Sequence, residues 1–262
     1  MSVADYPYFA PPPIALAHRG GADFAANRGI ENTLAAFTTA VTMGYRYLET
    51  DVHASADGRL VAFHDRYLDR VTDRTGEIAR LPWREIAAAR VGGREPIPTL
   101  DDLLEAFADT RINIDIKARS AVTPLWETIR RHAAYDRVCV GSFSQRRLAS
   151  FRRLAGPRVA TAAGQWGVAA LRYLPRAASV LAHSPGQVLQ IPVRHELGGR
   201  TLTLVTPGLV DTVHRFGMHL HVWTIDERDE MRRLLDLGVD GLISDRIDVL
   251  RDVLTERGAW PS

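Results

Sequence analysis

Arg111–Leu154 reads RINIDIKARSAVTPLWETIRRHAAYDRVCVGSFSQRRLASFRRL. Two short apolar runs, Arg111 to Ile116 and Val138 to Gly141, alternate with two longer stretches, Pro124 to His132 and Gln145 to Leu154. Short runs bounded by turn signals read as buried strands, and the longer amphipathic stretches read as helices. A parallel strand pair needs a crossover long enough to hold a helix, so this alternation implies a parallel sheet with helices packed on it.

The same alternation continues in both directions. Toward the C-terminus, strands at Arg158 to Ala162, Val188 to Val193, His219 to Thr224 and Gly241 to Ser244 are expected. Each is followed by a helix: Val168 to Leu174, Pro207 to Phe216, Glu227 to Leu237 and Ile247 to Thr255. Toward the N-terminus, Ile14 to Ala17 is a strand running into His18-Arg19-Gly20-Gly21. A helix opens at Glu31-Asn32-Thr33 and stops near Gly44, and Tyr45 to Val52 is the second strand, with Leu60 to Phe63 as a short extension. Residues 66–98 read as a loop excursion with a short helix near Trp83 to Arg90, placed over an active site as such excursions often are. Asp101 to Phe107 is helical. Strands near residues 14, 46, 112, 138, 158, 189, 219 and 241 make eight βα units. The expectation is an α/β fold, a (β/α)₈ TIM barrel formed by one domain over residues 1–262, with a small insertion after strand 2. The rival is an open doubly wound sheet. Its dinucleotide-binding form is disfavoured because no G-x-G-x-x-G follows the first strand.

Composition narrows the function. The 262 residues are 46% hydrophobic and 24% charged, with a net charge of +2. The charges are scattered, so no nucleic-acid partner is expected. The single cysteine, Cys139, lies in an apolar run; it excludes an internal disulfide and reads as a buried, inert thiol. There is no basic segment followed by an apolar one at the N-terminus, and no apolar run nears the ~20 residues of a membrane span. A cytoplasmic protein without stable membrane insertion is expected. Pro11-Pro12-Pro13 is a stiff lead-in, and no face signals an oligomer.

The chemistry concentrates in Tyr47–Asp65, YLETDVHASADGRLVAFHD. Glu49 and Asp51 are two residues apart, so in a strand they share a face. Two close carboxylates repel unless a proton or cation lies between them, and Mg²⁺ or Ca²⁺ is the simplest tenant. In a (β/α)₈ barrel the site lies at the C-terminal strand ends. There the sequence places His18 and Arg19, Glu49 and Asp51, His64, Asp115 and Lys117, Ser142, Gln190 and Trp223. Asp115 and Lys117 repeat the two-residue parity, giving a third metal carboxylate and a phosphate-facing lysine rather than a plain ion pair. Arg19 and Lys117 can neutralise phosphodiester oxygens, His18 and His64 can act as general acid and base, and Trp223 can wall an apolar pocket. His53 continues the parity but is expected past the strand end and outside the chemistry. His219 and His221 read as packed residues, while His132, His183, His195 and His214 have no distinguishing context. Glu31 reads as a helix-start residue. The chemistry that fits is metal-assisted phosphodiester cleavage.

These residues carry a resemblance. HRGG, ENTLAAF, ETDVHASADGRLVAFHD, LDRVTDRTG, IPTL, NIDIK, SF, VWTID and GVDGLISDR, in this order, resemble the glycerophosphodiester phosphodiesterase family from about Ala17 to Asp245. The resemblance implies a (β/α)₈ barrel, a divalent metal, and a small-molecule glycerophosphodiester substrate cleaved to sn-glycerol 3-phosphate and an alcohol. It implies His18 and His64 as the acid–base pair and Arg19 and Lys117 on phosphate. Glu49, Asp51 and Asp115 would hold the metal, with Glu31 as a further ligand or a neighbour of the ligands. The third-strand motif departs from the family's E-x-K: Asp115 is one methylene shorter, and reaches the ion directly or through a water. A lysophospholipase D acting on lipid-chain substrates is the alternative on the same barrel.

Overall fold

The computed structural model describes residues 2–173 and 186–260. Eight strands form one parallel sheet: β1 (Ile14–His18), β2 (Tyr47–Ala54), β6 (Arg111–Ile116), β7 (Val138–Gly141), β8 (Ala160–Thr161), β9 (Val188–Pro192), β12 (His219–Trp223) and β13 (Gly241–Ser244). They are adjacent in chain order, and β13 pairs with β1. One parallel bridge, Ala162 to Val188, joins the remaining two ends, with Ala163 N–H donating to Val188 O at 2.7 Å and Gln187 N–H to Thr161 O at 2.8 Å. The sheet is therefore a barrel, as the alternation implies.

Helices α1 (Leu34–Thr42), α3 (Leu100–Ala106), α4 (Val122–Arg131), α5 (Gln145–Ala155), α6 (Gln165–Tyr173), α7 (Pro207–Arg215), α8 (Arg228–Asp236) and α9 (Ile247–Glu256) lie between or after the strands. Several starts are set by short polar side chains that accept from orphan helical N–H groups. Thr33 accepts from Ala36, Thr99 from Asp102, Ser144 from Arg147 and Thr206 from Leu209. Outward strand residues such as Leu48, Ile112, Ile114, Val138 and Val140 pack against Phe37, Leu103, Ile129, Phe151, Leu209 and Leu250 of the helices. Inward residues Leu16, Tyr47, Cys139, Ala160, Val188 and Ile243 form a second core. With both faces buried, the strands read as near-continuous apolar runs.

That inner core is completed by the N-terminal segment. Tyr6 and Tyr8 enter it, and Tyr47 Oη donates to Tyr8 O at 2.7 Å while accepting from Ala10 N–H at 2.8 Å. Arg111 lies over the Tyr47 ring at 5.4 Å and donates from Nε to Pro7 O at 3.2 Å. Tyr47 and Arg111 begin their strands, so the plug fills the barrel mouth opposite the rim.

Three features differ from the sequence reading. Strand β2 runs on to Ala54, because β3 (Leu60–Ala62) pairs antiparallel with its end, and His53 is therefore inside the strand. A hairpin of β10 (Arg194–Leu197) and β11 (Arg200–Thr203) stands between β9 and α7. Helix α6 begins at Gln165, before the expected Val168, while the expected end at Leu174 and His183 lie outside the described residues. The excursion after β3 holds α2 (Trp83–Ile86) and the short pair β4 (Arg90–Val91) and β5 (Glu95–Pro96) around its own apolar cluster, which includes Phe63, Leu68, Ile78, Ile86 and Val91.

Candidate active site

The strand that ends in His18 must turn at once to let α1 pack. Gly20, at φ +88°, allows it: a Cβ there would lie 2.8 Å from Ala36 Cβ and 2.9 Å from its carbonyl carbon. Arg19 and Asn32 also take left-handed backbone, at φ 51° and 59°, and are joined by Asn32 N–H donating to Arg19 O at 2.9 Å. Such conformations cost free energy in residues bearing a Cβ and concentrate at functional sites.

Parallel register puts His18 level with Glu49, and Asp51 level with Asp115. His18 donates from Nδ1 to Asp245 Oδ1 at 2.8 Å, and its Nε2 lies 3.8 Å from Glu49 Oε2. His64 donates from Nδ1 to Asp65 Oδ1 at 2.6 Å. Both imidazoles at the rim are thus anchored through Nδ1 on a carboxylate, which orients the ring and favours the tautomer with its proton on Nδ1. Burial works to lower the pKa of His18, but Glu49 and the hydrogen bond to Asp245 outweigh it and raise the pKa above its ordinary value.

Lys117 Nζ stands 2.9 Å from Asp51 Oδ1 and 2.8 Å from Asp115 Oδ2. The ion pair weighed against a ligand role for Asp115 is therefore present, and it includes Asp51. Asp51 also accepts from Asn32 Nδ2 at 3.2 Å and lies 3.4 Å from Arg19 Nε. Burial opposes ionisation of Asp51, but Lys117 and Arg19 hold its pKa below the ordinary value. Arg19 Nη1 donates to Glu31 Oε1 at 3.1 Å. Glu31 precedes the cap residue Thr33, so it faces the site instead of serving the helix.

The other expected residues are placed differently. Gln190 Nε2 donates to Asn113 Oδ1 at 2.8 Å, which commits the amide to the barrel interior. Trp223 meets Phe143 edge to face at 5.4 Å, and Phe143, 53% exposed, lies 5.6 Å from Lys117 Nζ. His53 Nε2 donates to the backbone carbonyl of His64 at 3.2 Å. Burial lowers its pKa below the ordinary value, and the contact braces the loop that carries His64. Among the described residues, the acids whose ligand atoms fall within 4.8 Å of one another are Asp23, Asp226 and Asp245 rather than Glu49, Asp51 and Asp115. Sequence reasoning gave no role to Asp245, Asp65, Asn32, Arg70 or Phe143, although ISDR, HD, ENT, LDR and SF all lie in the motifs of the resemblance.

The family described as glycerophosphoryl diester phosphodiesterase matches residues 18–249. The chain belongs to this family. A Mycobacterium tuberculosis protein named "Probable glycerophosphodiester phosphodiesterase 2" is 44% identical over 251 residues, covering 94% of this chain and 92% of the relative. A Silicibacter pomeroyi crystal structure shares the fold with TM-score 0.78 over 98% of both chains at 24% identity. An Oleispira antarctica phosphodiesterase, solved in complex with the product sn-glycerol-3-phosphate, has TM-score 0.77 at 25% identity, covering 93% of this chain and 97% of that one. The chain is a glycerophosphodiester phosphodiesterase, a hydrolase on a TIM barrel.

The rim of this phosphodiesterase suits a cation. Glu49 is 6% exposed, and its side chain accepts one long hydrogen bond, 3.4 Å from Arg19 N–H. Burial and neighbouring Asp51 push its pKa up to about 7. A buried carboxylate with so little compensation fits a hard divalent ion, which prefers oxygen donors. No helix among the described residues is long and apolar enough to cross a membrane.

Proposed function

We propose that the enzyme cleaves small-molecule glycerophosphodiesters to sn-glycerol 3-phosphate and an alcohol, with His18 and His64 as its acid–base pair. Mg²⁺ or Ca²⁺ would be held by Glu49, Asp51 and Asp115, with Glu31 beside them. The observation that carries this reading is the pair of imidazoles, each anchored on its own carboxylate, at a rim that also holds Arg19, Lys117 and the under-compensated Glu49. When bound, the cation polarises a phosphoryl oxygen and lowers the pKa of a bound hydroxyl.

The chain's own groups do the rest. One imidazole takes the proton of the attacking hydroxyl at Nε2, and the other gives a proton to the departing alkoxide. Arg19 and Lys117 offset the charge that builds on the non-bridging oxygens. Trp223 and Phe143 form an apolar wall for the carbon portion of the substrate. The 44% identical relative is named for glycerophosphodiesters, which favours that substrate class over lysophospholipids.

The test is to incubate purified protein with glycerophosphocholine and Mg²⁺ or Ca²⁺, and to couple released glycerol 3-phosphate to a dehydrogenase. Turnover that a chelator abolishes and either ion restores is expected. Folded, metal-supplied protein that releases no glycerol 3-phosphate from any glycerophosphodiester overturns the reading. Faster turnover of lysophosphatidylcholine than of glycerophosphocholine moves the assignment to a lysophospholipase D.

A further inference from the structure

The chemistry above leaves the motif LDRVTDRTG without a part, yet one of its residues reaches both sides of the site. Arg70 Nε donates to Asp65 Oδ2 at 2.5 Å. Its terminal nitrogens grip Glu31 as a fork, Nη1 to Oε2 at 3.0 Å and Nη2 to Oε1 at 2.7 Å. Each acceptor also serves a site residue: Asp65 Oδ1 accepts from His64 Nδ1, and Glu31 Oε1 accepts from Arg19 Nη1.

We propose that Arg70 is a positioning residue, one guanidinium that holds the His64–Asp65 pair and the Arg19–Glu31 pair at a fixed separation. Arginine suits the task because its planar fork satisfies two carboxylates in set directions, whereas an ammonium is a point charge. The backbone around it is pinned from the insertion. Leu68 is buried in the insertion's own cluster and donates its N–H to Gly76 O at 3.0 Å, while Val71 O accepts from Gly92 N–H at 2.8 Å. The insertion is therefore a bracket: its folding delivers Arg70, and Arg70 sets where the proton carrier stands relative to the phosphate-binding arginine. This role rests on the assignments of His64 and Arg19 proposed above.

The experiment compares Arg70→Gln, Arg70→Lys, Asp65→Asn and the Arg70→Gln/Asp65→Asn double variant, by steady-state kinetics on glycerophosphocholine and by ¹⁵N NMR of the histidine side chains. Arg70→Gln lowers kcat by about 100-fold, the size of effect that a misplaced reacting group produces. Arg70→Lys falls between it and wild type. The double variant is no slower than the slower single variant, because both changes break one chain of contacts. In the NMR spectrum, wild-type His64 is a single Nδ1–H tautomer when neutral, and Arg70→Gln gives a mixture. A wild-type kcat with an unchanged His64 tautomer in Arg70→Gln overturns the role, as do fully additive losses in the double variant. Where Arg70→Gln does not fold, Arg70→Lys decides: an intermediate kcat supports the role and a wild-type kcat overturns it. Wild-type protein inactive on every glycerophosphodiester removes the functional reading, and the NMR comparison then decides alone whether Arg70 holds His64.

Discussion

Asp245 is a distant partner for His18, 227 positions along the chain, yet it determines which ring nitrogen faces the rim. Asp245→Asn can offer its amide N–H where the carboxylate accepted, which turns the imidazole to the wrong tautomer. It is expected to lower kcat by about 100-fold, within the usual worth of a positioned acid or base, with little change in KM and an unchanged circular dichroism spectrum. The same scale shows what the sequence makes legible. Strand parity is enough to bring Glu49, Asp51, Asp115 and Lys117 to one rim, and a strand end to bring His18 level with Glu49. The contacts of Asp245 and Arg70 are not legible in that way, because they form only after the barrel closes or the insertion folds back. Gln190 was read at the rim by strand position, but Asn113 on β6 captures its amide, a contact 77 residues apart that no local pattern encodes.

Among the elements, the turn from β1 to α1 is the least forgiving. Gly20→Ala adds a Cβ against the backbone of α1 in a conformation L-residues avoid. A loss of about 2–3 kcal/mol is expected, of the order of overpacking a tight core, measured by urea unfolding. The insertion gives a contrasting case. Ile78 is fully buried in the insertion's cluster, and Ile78→Ala leaves a cavity costing about 2–5 kcal/mol. Hydrogen exchange is expected to rise across residues 66–98 while the barrel strands stay protected, and kcat is expected to fall as Arg70 loses its support. Barrel strands and helices were legible because each buries a long apolar face. The β10–β11 hairpin was not, since its short strands are polar and largely exposed. His53 was misplaced because β2 is lengthened by pairing with β3, which is tertiary information.

At the level of the whole molecule, the barrel interior carries an acid-sensitive group away from the rim. His221 is fully buried, and neither ring nitrogen has a hydrogen-bond partner among the described residues. Burial, with a smaller contribution from His219, pushes its pKa down to about 3. The unfolded chain therefore binds a proton that the folded chain refuses, and stability is complete above the unfolded value near 6.5 and falls as pH drops from there toward 3. His221→Leu is expected to flatten the pH dependence of unfolding free energy between pH 6 and 4 by up to about 1.4 kcal/mol per pH unit, measured by urea titration at each pH.

The aromatic plug carries a consequence for synthesis. A ribosome delivers Tyr6 and Tyr8 well before Val188 and Ile243, which belong to the hollow that receives them. Strand β1 likewise waits for β13, its second neighbour. The nascent chain must keep Tyr6 and Tyr8 unhoused until the last barrel strand has emerged. A product released before β13 has neither a closed wall nor a full seat for Tyr6 and Tyr8, so the pairing that closes the wall also seals the floor opposite the rim.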